Sequence, residues 1–104
     1  MAKKRESVFK EKVQKDLASL KNIWCEKIQQ VGIRGTPDLL LCIGGFFVAI
    51  ELKIDGEKPD PLQEYKLGLI KKAGGISLTA TPSNWARMFE SLRHLHDGGN
   101  FVYP

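Results

Sequence analysis

Asp38, Glu51 and Lys53 stand where a short stretch of chain could bring them to one place. Asp38 precedes the apolar run Leu39-Leu40-Leu41-Cys42-Ile43. Glu51 follows a second run, Phe46-Phe47-Val48-Ala49-Ile50. Gly44-Gly45 joins the two, and such a pair signals a two-residue hairpin because both central positions favour positive φ. If Ile43 pairs with Phe46, stepping outward places Asp38 directly opposite Glu51. Their Cβ atoms would then lie about 4.5–5.5 Å apart on one face. Two like charges so placed destabilise a hairpin unless a cation offsets them. A divalent ion with oxygen ligands, Mg²⁺ or Mn²⁺, fits that demand. Side chains alternate along a strand, so Lys53 shares the face of Glu51, together with Phe47 and Ala49. Phe46, Val48, Ile50 and Leu52 take the other. A metal there would act as a Lewis acid, and Lys53 would supply a positive donor beside it. A one-residue bulge would break the register and with it the inference.

The flanking sequence must supply the frame. Phe9, Val13, Leu17 and Leu20 form one apolar stripe at helical spacing, and Glu6 lies three residues before Phe9 on that stripe. Lys10, Lys12, Lys15 and Asp16 fall toward solvent. Ile23–Gln29 reads as a first strand with Trp24 and Ile28 on one face. Residues 31–37, with Gly32, Gly35 and Pro37, read as loop. After a polar loop, Asp60 caps a helix with Pro61 at its first position, and the helix stops at Gly74-Gly75. Ile76–Thr79 is a strand. Thr81 caps a last helix with Pro82 at its start, and Trp85, Met88, Phe89, Leu92 and Leu95 form its buried stripe. Phe101-Val102-Tyr103 is expected to be a short closing strand. The order predicts an α/β fold, a mixed central sheet flanked by helices.

The chain has 104 residues, enough for one domain, residues 1–104, with a single core. Its 42% hydrophobic and 27% charged residues exclude global disorder. Sixteen Lys and Arg against twelve Asp and Glu leave +4, which points to an anionic partner, nucleic acid first. No apolar run is long enough to span a bilayer, and no apolar signal stretch follows the basic start, so no membrane partner and a cytoplasmic location are expected. Cys25 and Cys42 match no zinc spacing and are too few for a disulfide scaffold; they read as reduced core or half-buried residues.

Pro37-Asp38, twelve intervening residues, then Glu51-Leu52-Lys53 resembles the PD-(D/E)XK nuclease pattern. Gly35-Thr36-Pro37-Asp38-Leu39-Leu40, Phe47 to Lys53, Pro61-Leu62-Gln63-Glu64-Tyr65 and Ala73-Gly74-Gly75 together look like its VRR-NUC branch. The likeness covers roughly Glu6 to Leu78. It implies a restriction-endonuclease-like αβββαβ core. It also implies that Asp38, Glu51 and the Leu52 backbone carbonyl hold Mg²⁺ or Mn²⁺, with Lys53 orienting the attacking water. Glu6 matches a first-helix carboxylate that completes such sites directly or through water, and Gln63 a glutamine that faces the site. Each also has a plainer reading: Glu6 as a first-turn carboxylate favoured by the helix dipole, Gln63 as half of a capping box with Asp60. Many relatives carry a small hydroxyl residue where Asp60 stands; Asp60 can cap as well.

The implied activity is a structure-selective endonuclease, a Holliday junction resolvase acting as a homodimer on branched DNA. The alternatives are a flap, fork or nonspecific DNA nuclease, or a DNA-binding module without catalysis. Lys3, Lys4, Arg5, Arg34 and Lys58 flank the site and are the candidate DNA-binding residues through phosphate contacts. His94 and His96 diverge on a helix, so no metal site is expected there. Trp85 and Phe89 read as core rather than base-stacking platforms.

Overall fold

A computed structural model of the chain describes residues 2–28, 35–57 and 60–103. The elements run α1 (Ala2–Ala18), β1 (Trp24–Lys27), β2 (Leu39–Ile43), β3 (Phe46–Leu52), α2 (Pro61–Lys72), β4 (Ile76–Ala80) and α3 (Trp85–His96). One sheet carries the strands in the order β1-β2-β3-β4. The first three are antiparallel neighbours, while β4 pairs parallel to β3 after the α2 crossover. The result is an α/β fold with a mixed sheet, an αβββαβ core followed by α3.

The hairpin has the expected register. Ile43 pairs with Phe46, Leu41 with Val48 and Leu39 with Ile50, with no bulge. Gly44 and Gly45 hold φ of 58° and 84°, the positive values that a tight hairpin turn requires. A Cβ on Gly44 would also come within 2.5 Å of the Leu95 carbonyl oxygen, so the turn is packed against the end of α3.

Alternation then sorts the sheet into two faces. Leu39, Leu41, Ile43, Val48, Ile50 and Leu52 join Phe9, Val13 and Leu17 of α1 and Trp85, Met88, Leu92 and Leu95 of α3 in one buried cluster. Each such side chain contributes about 1.5–3 kcal/mol by leaving water. The opposite face receives α2, where the Ser77 hydroxyl donates to the Leu67 carbonyl at 2.8 Å. A capping box at Asp60 starts α2 and Gly74 (φ 96°) ends it, with Gly75 N–H donating to the Ile70 carbonyl at 2.9 Å.

Several expectations are corrected. Residues 101–103 are not a strand. Phe101 packs on the core and meets Tyr103 edge-on, while the Tyr103 hydroxyl accepts from Ser77 N–H at 3.4 Å. One side chain thus meets a β4 donor that a strand would have met through its backbone. Thr81 does not cap α3: the helix starts later, with Asn84 at its N-cap position, and a turn comes first, in which the Asn84 Oδ1 accepts from Thr81 N–H at 2.8 Å. Asp16 is not simply solvated, because its Oδ2 accepts from the buried Trp85 indole N–H at 2.8 Å and ties α1 to α3. Both cysteines are free, and Cys42 is exposed rather than half-buried.

His96 joins α3 to the segment after α1. Its Nδ1 lies 2.9 Å from Asp97 Oδ1 and its Nε2 2.6 Å from the Lys21 carbonyl. Both neighbours are acceptors, so protonation of the ring lets both nitrogens donate. The Asp97 hydrogen bond, then the Lys21 carbonyl, raise its pKa. A group raised on folding stabilises fully below its unfolded value, near about 6.5, and less as pH climbs through the folded value. The melting temperature advantage of the wild type over His96→Gln is therefore expected to be largest in mild acid and to shrink toward alkaline pH, as differential scanning fluorimetry would read.

Candidate metal and active site

The site forms where the β2–β3 ladder runs out. Leu39↔Ile50 is the last ladder pair, and one step beyond it Asp38 faces Glu51. The Asp38 carbonyl still accepts from Ile28 N–H at 2.9 Å, which holds its backbone to the end of β1. Its side chain continues the hairpin in another way: Oδ2 accepts from Leu52 N–H at 2.8 Å. That bond fixes the Asp38 carboxyl group and ties it to the Leu52 peptide, whose carbonyl was expected to be a ligand.

Glu51 is 3% exposed although it carries an acid. It lies between β2 and β4, opposite Thr79 in the parallel ladder, and α2 lies over it. Its Oε2 accepts from Gln63 Nε2 at 2.7 Å and lies 3.5 Å from the Lys53 ammonium. Its Oε1 is buried with no hydrogen-bond partner among the described residues. Burial pushes the Glu51 pKa up to about 7, and the Asp38 charge pushes the same way, while Lys53 pulls it back. Leaving a carboxylate oxygen dry and unpaired costs about 1–3 kcal/mol or more.

Gln63 serves both purposes weighed for it. Its backbone N–H donates to Asp60 Oδ1 at 2.9 Å, and its Oε1 accepts from Asp60 N–H at 3.1 Å, closing the capping box. That leaves Nε2 to donate to Glu51. The cap thus decides the amide orientation, since only its oxygen can accept from Asp60. Lys53 is held by its backbone as well, its N–H donating to the Ala80 carbonyl at 2.9 Å.

These residues fit a hard divalent cation. Glu51 beside Asp38 keeps one carboxylate oxygen that the protein does not use, and Mg²⁺ commonly takes one or two carboxylates and keeps its waters. Among the described residues no three acidic, histidine or cysteine side chains gather in one place. The described side-chain set is therefore Asp38 and Glu51.

Glu6 is not brought to the pair by any described contact. It pairs with Lys10 on its own helix at 3.5 Å. The reason is the layer order: α1 packs on the face that carries Ile50 and Leu52, whereas Glu51 points to the other. Arg34 and Lys58 lie outside the described residues, as do the side chains of Lys3 and Lys4. Arg5 is exposed and lines a groove with Val8, Phe9, Lys12 and Ile54, one residue beyond Lys53. Sequence reasoning missed Asp16 and His96 as tertiary ties. Their partners, Trp85 and Lys21, lie 69 and 75 residues away, so spacing holds no signal of them.

Comparison of the chain with protein-family models, with curated proteins and with solved structures finds no match.

Proposed function

We propose that the protein is a Mg²⁺- or Mn²⁺-dependent DNA endonuclease resembling the VRR-NUC branch of the PD-(D/E)XK nucleases, which cuts branched DNA as a homodimer. The observation that carries this reading is the buried, unpartnered Glu51 Oε1 in a carboxylate pair with Asp38, flanked by Lys53. An acid kept dry and incomplete at the end of a rigid hairpin is poorly explained by folding, since a neutral residue would pack there at lower cost. It is well explained as a cation site.

A bound ion would supply Lewis acidity and acidify a water. The chain does the rest. The Leu52 N–H holds Asp38 and the Gln63 amide holds Glu51, so both carboxylates are oriented before any ligand arrives. Lys53 places its ammonium group at the same edge, where it offsets charge that develops on a phosphate and orients the attacking water. The Leu52 carbonyl is proposed as the third protein ligand. Two copies related by a two-fold axis offer two such sites to two strands of a symmetric junction.

The test is a panel of four-way junction, flap, fork, duplex and single-stranded DNA with Mg²⁺, Mn²⁺ or EDTA. Metal-dependent cutting is expected, with paired symmetric incisions on the junction and affinity that falls steeply with salt. Preferential cutting of flaps or forks would keep the nuclease and replace the junction. No cutting with either metal, together with no metal binding by calorimetry, would overturn the reading in favour of a DNA-binding module.

A further inference from the structure

The end of the sheet that carries Asp38, Glu51 and Lys53 has a second feature on its other side. Lys53 shares the α2 face with Glu51, and Ile54, the next residue, turns to the α1 face and is 6% exposed. There a groove of about 480 Å³ lies between α1, the turn after β3 and the turn before α3. Val8, Phe9, Ile54 and Pro82 give it an apolar lining. Arg5 and Lys12 stand on its α1 wall, because steps of three and four from Arg5 to Val8 to Lys12 keep all three on one helix face. The two cations are about 10 Å apart along the helix axis. Val8, between them, is 58% exposed.

The opposite wall is held by Asp55. Its Oδ1 accepts from Ser83 Oγ at 2.7 Å and from Ser83 N–H at 3.2 Å, which ties the turn after β3 to the turn before α3. The Ser83 hydroxyl chiefly holds the Asp55 carboxyl below its ordinary pKa, and the Arg5 charge acts in the same direction. Among the described lining residues Asp55 is the one carboxylate, already engaged by Ser83, against two cations. Lys12 also pairs with Asp16 at 3.3 Å, at an exposed position where such a pair holds weakly.

We propose that this groove takes an unpaired base next to the cleaved phosphate, with Arg5 and Lys12 on the phosphates that flank that base. The inference rests on the nuclease reading for its place and deepens it by naming a substrate class, DNA with single-stranded nucleotides at the branch. Charge favours an anionic occupant: two cations outweigh one engaged carboxylate, whereas a second copy of a chain with net charge +4 brings the wrong sign. Size favours a small group, since sites for such ligands run about 300–1,000 Å³. Lining favours an unpaired base over a duplex. A duplex keeps its bases stacked and turns phosphate and sugar outward, which gain nothing from Val8, Ile54 and Pro82. A base out of the stack offers a flat face that packs on apolar side chains. Apolar side chains contact every base alike, so the groove recognises that a base is present and not which one.

Fluorescence anisotropy of the full chain in EDTA, where no cutting interferes, tests the assignment with two forked duplexes. In one the unpaired arms carry thymine; in the other the same arms carry abasic sugars, so that backbone and charge are equal. Wild type is expected to bind the thymine fork at least about fivefold more tightly. Val8→Ser should lose most of that preference and bind the abasic fork as wild type does. Arg5→Gln should weaken both forks alike and lower the salt slope by about 1. Val102→Ser, a change at a 68% exposed position outside the groove, should behave as wild type. Circular dichroism checks that each variant is folded. Equal affinity of the wild type for the two forks, no binding of either, or a folded Val8→Ser protein that keeps the full preference overturns the proposal. So does a wild-type dimer, read by sedimentation, that Val8→Ser dissociates, which gives the groove to a second copy. Base-dependent binding by a protein that cuts no DNA with Mg²⁺ or Mn²⁺ would sink the nuclease reading and leave this one standing. Metal-dependent cutting with base-independent binding would do the reverse.

Discussion

Glu51→Gln is expected to abolish metal-dependent DNA cleavage, with a rate loss of about a thousandfold or more, in a protein that folds as well as the wild type. The substitution keeps the shape and the acceptor for Gln63 Nε2, so the α2 contact at 2.7 Å survives. It removes the charge on which the proposed cation site depends. Calorimetry should show the loss of Mg²⁺ and Mn²⁺ binding along with the loss of cutting. The folded control is essential, because a buried position can lose activity by unfolding. Here the expectation is the reverse: a neutral amide is easier to bury than a carboxylate with an orphaned oxygen. Equal cutting by wild type and Glu51→Gln would sink the catalytic assignment.

The second large effect is on stability. The Glu51 carboxyl is held near a pKa of about 7, chiefly by burial and next by the Asp38 charge. In the unfolded chain it titrates near 4.5. The native state therefore binds a proton that the unfolded state has already released between those values. Stability contributed by this group falls as pH rises from about 4.5 to about 7 and is level above that, a loss of up to about 3 kcal/mol for the metal-free protein. Chemical denaturation of wild type and Glu51→Gln should give converging stabilities near pH 4.5 and a more stable variant at pH 8. Adding Mg²⁺ or Mn²⁺ at pH 8 should raise the wild-type stability by about 2.7 kcal/mol at a hundredfold excess over the dissociation constant, and leave Glu51→Gln unmoved. Parallel pH curves for the two proteins would show that Glu51 is an ordinary solvated acid in solution.

Much of the site was legible because its parts are close in sequence and obey a period of two. Gly44-Gly45 marks the turn, and the turn sets the register by which Asp38 meets Glu51. Asp60, Pro61 and Gln63 mark the start of α2 for the same local reason. The misplaced elements were those where local signals competed. Thr81-Pro82 looks like a helix start, yet Asn84 three residues on supplies the acceptor that Thr81 N–H uses. Phe101-Val102-Tyr103 has strand-forming residues, but rings rather than backbone bonds hold it in place.

By itself the sequence determined the order of elements, the hairpin register and the face shared by Asp38, Glu51 and Lys53, since these follow from turn chemistry and alternation over a few residues. Only the tertiary structure decided which groups complete that face. It turned Gln63 Nε2 toward Glu51 and kept Oε1 for the cap. It set α1, with Glu6, on the opposite layer, and buried Glu51 under α2. It also left Trp24 and Phe47 at the surface. Layer assignment and burial depend on how helices of finite width tile a sheet, and no residue carries that information alone.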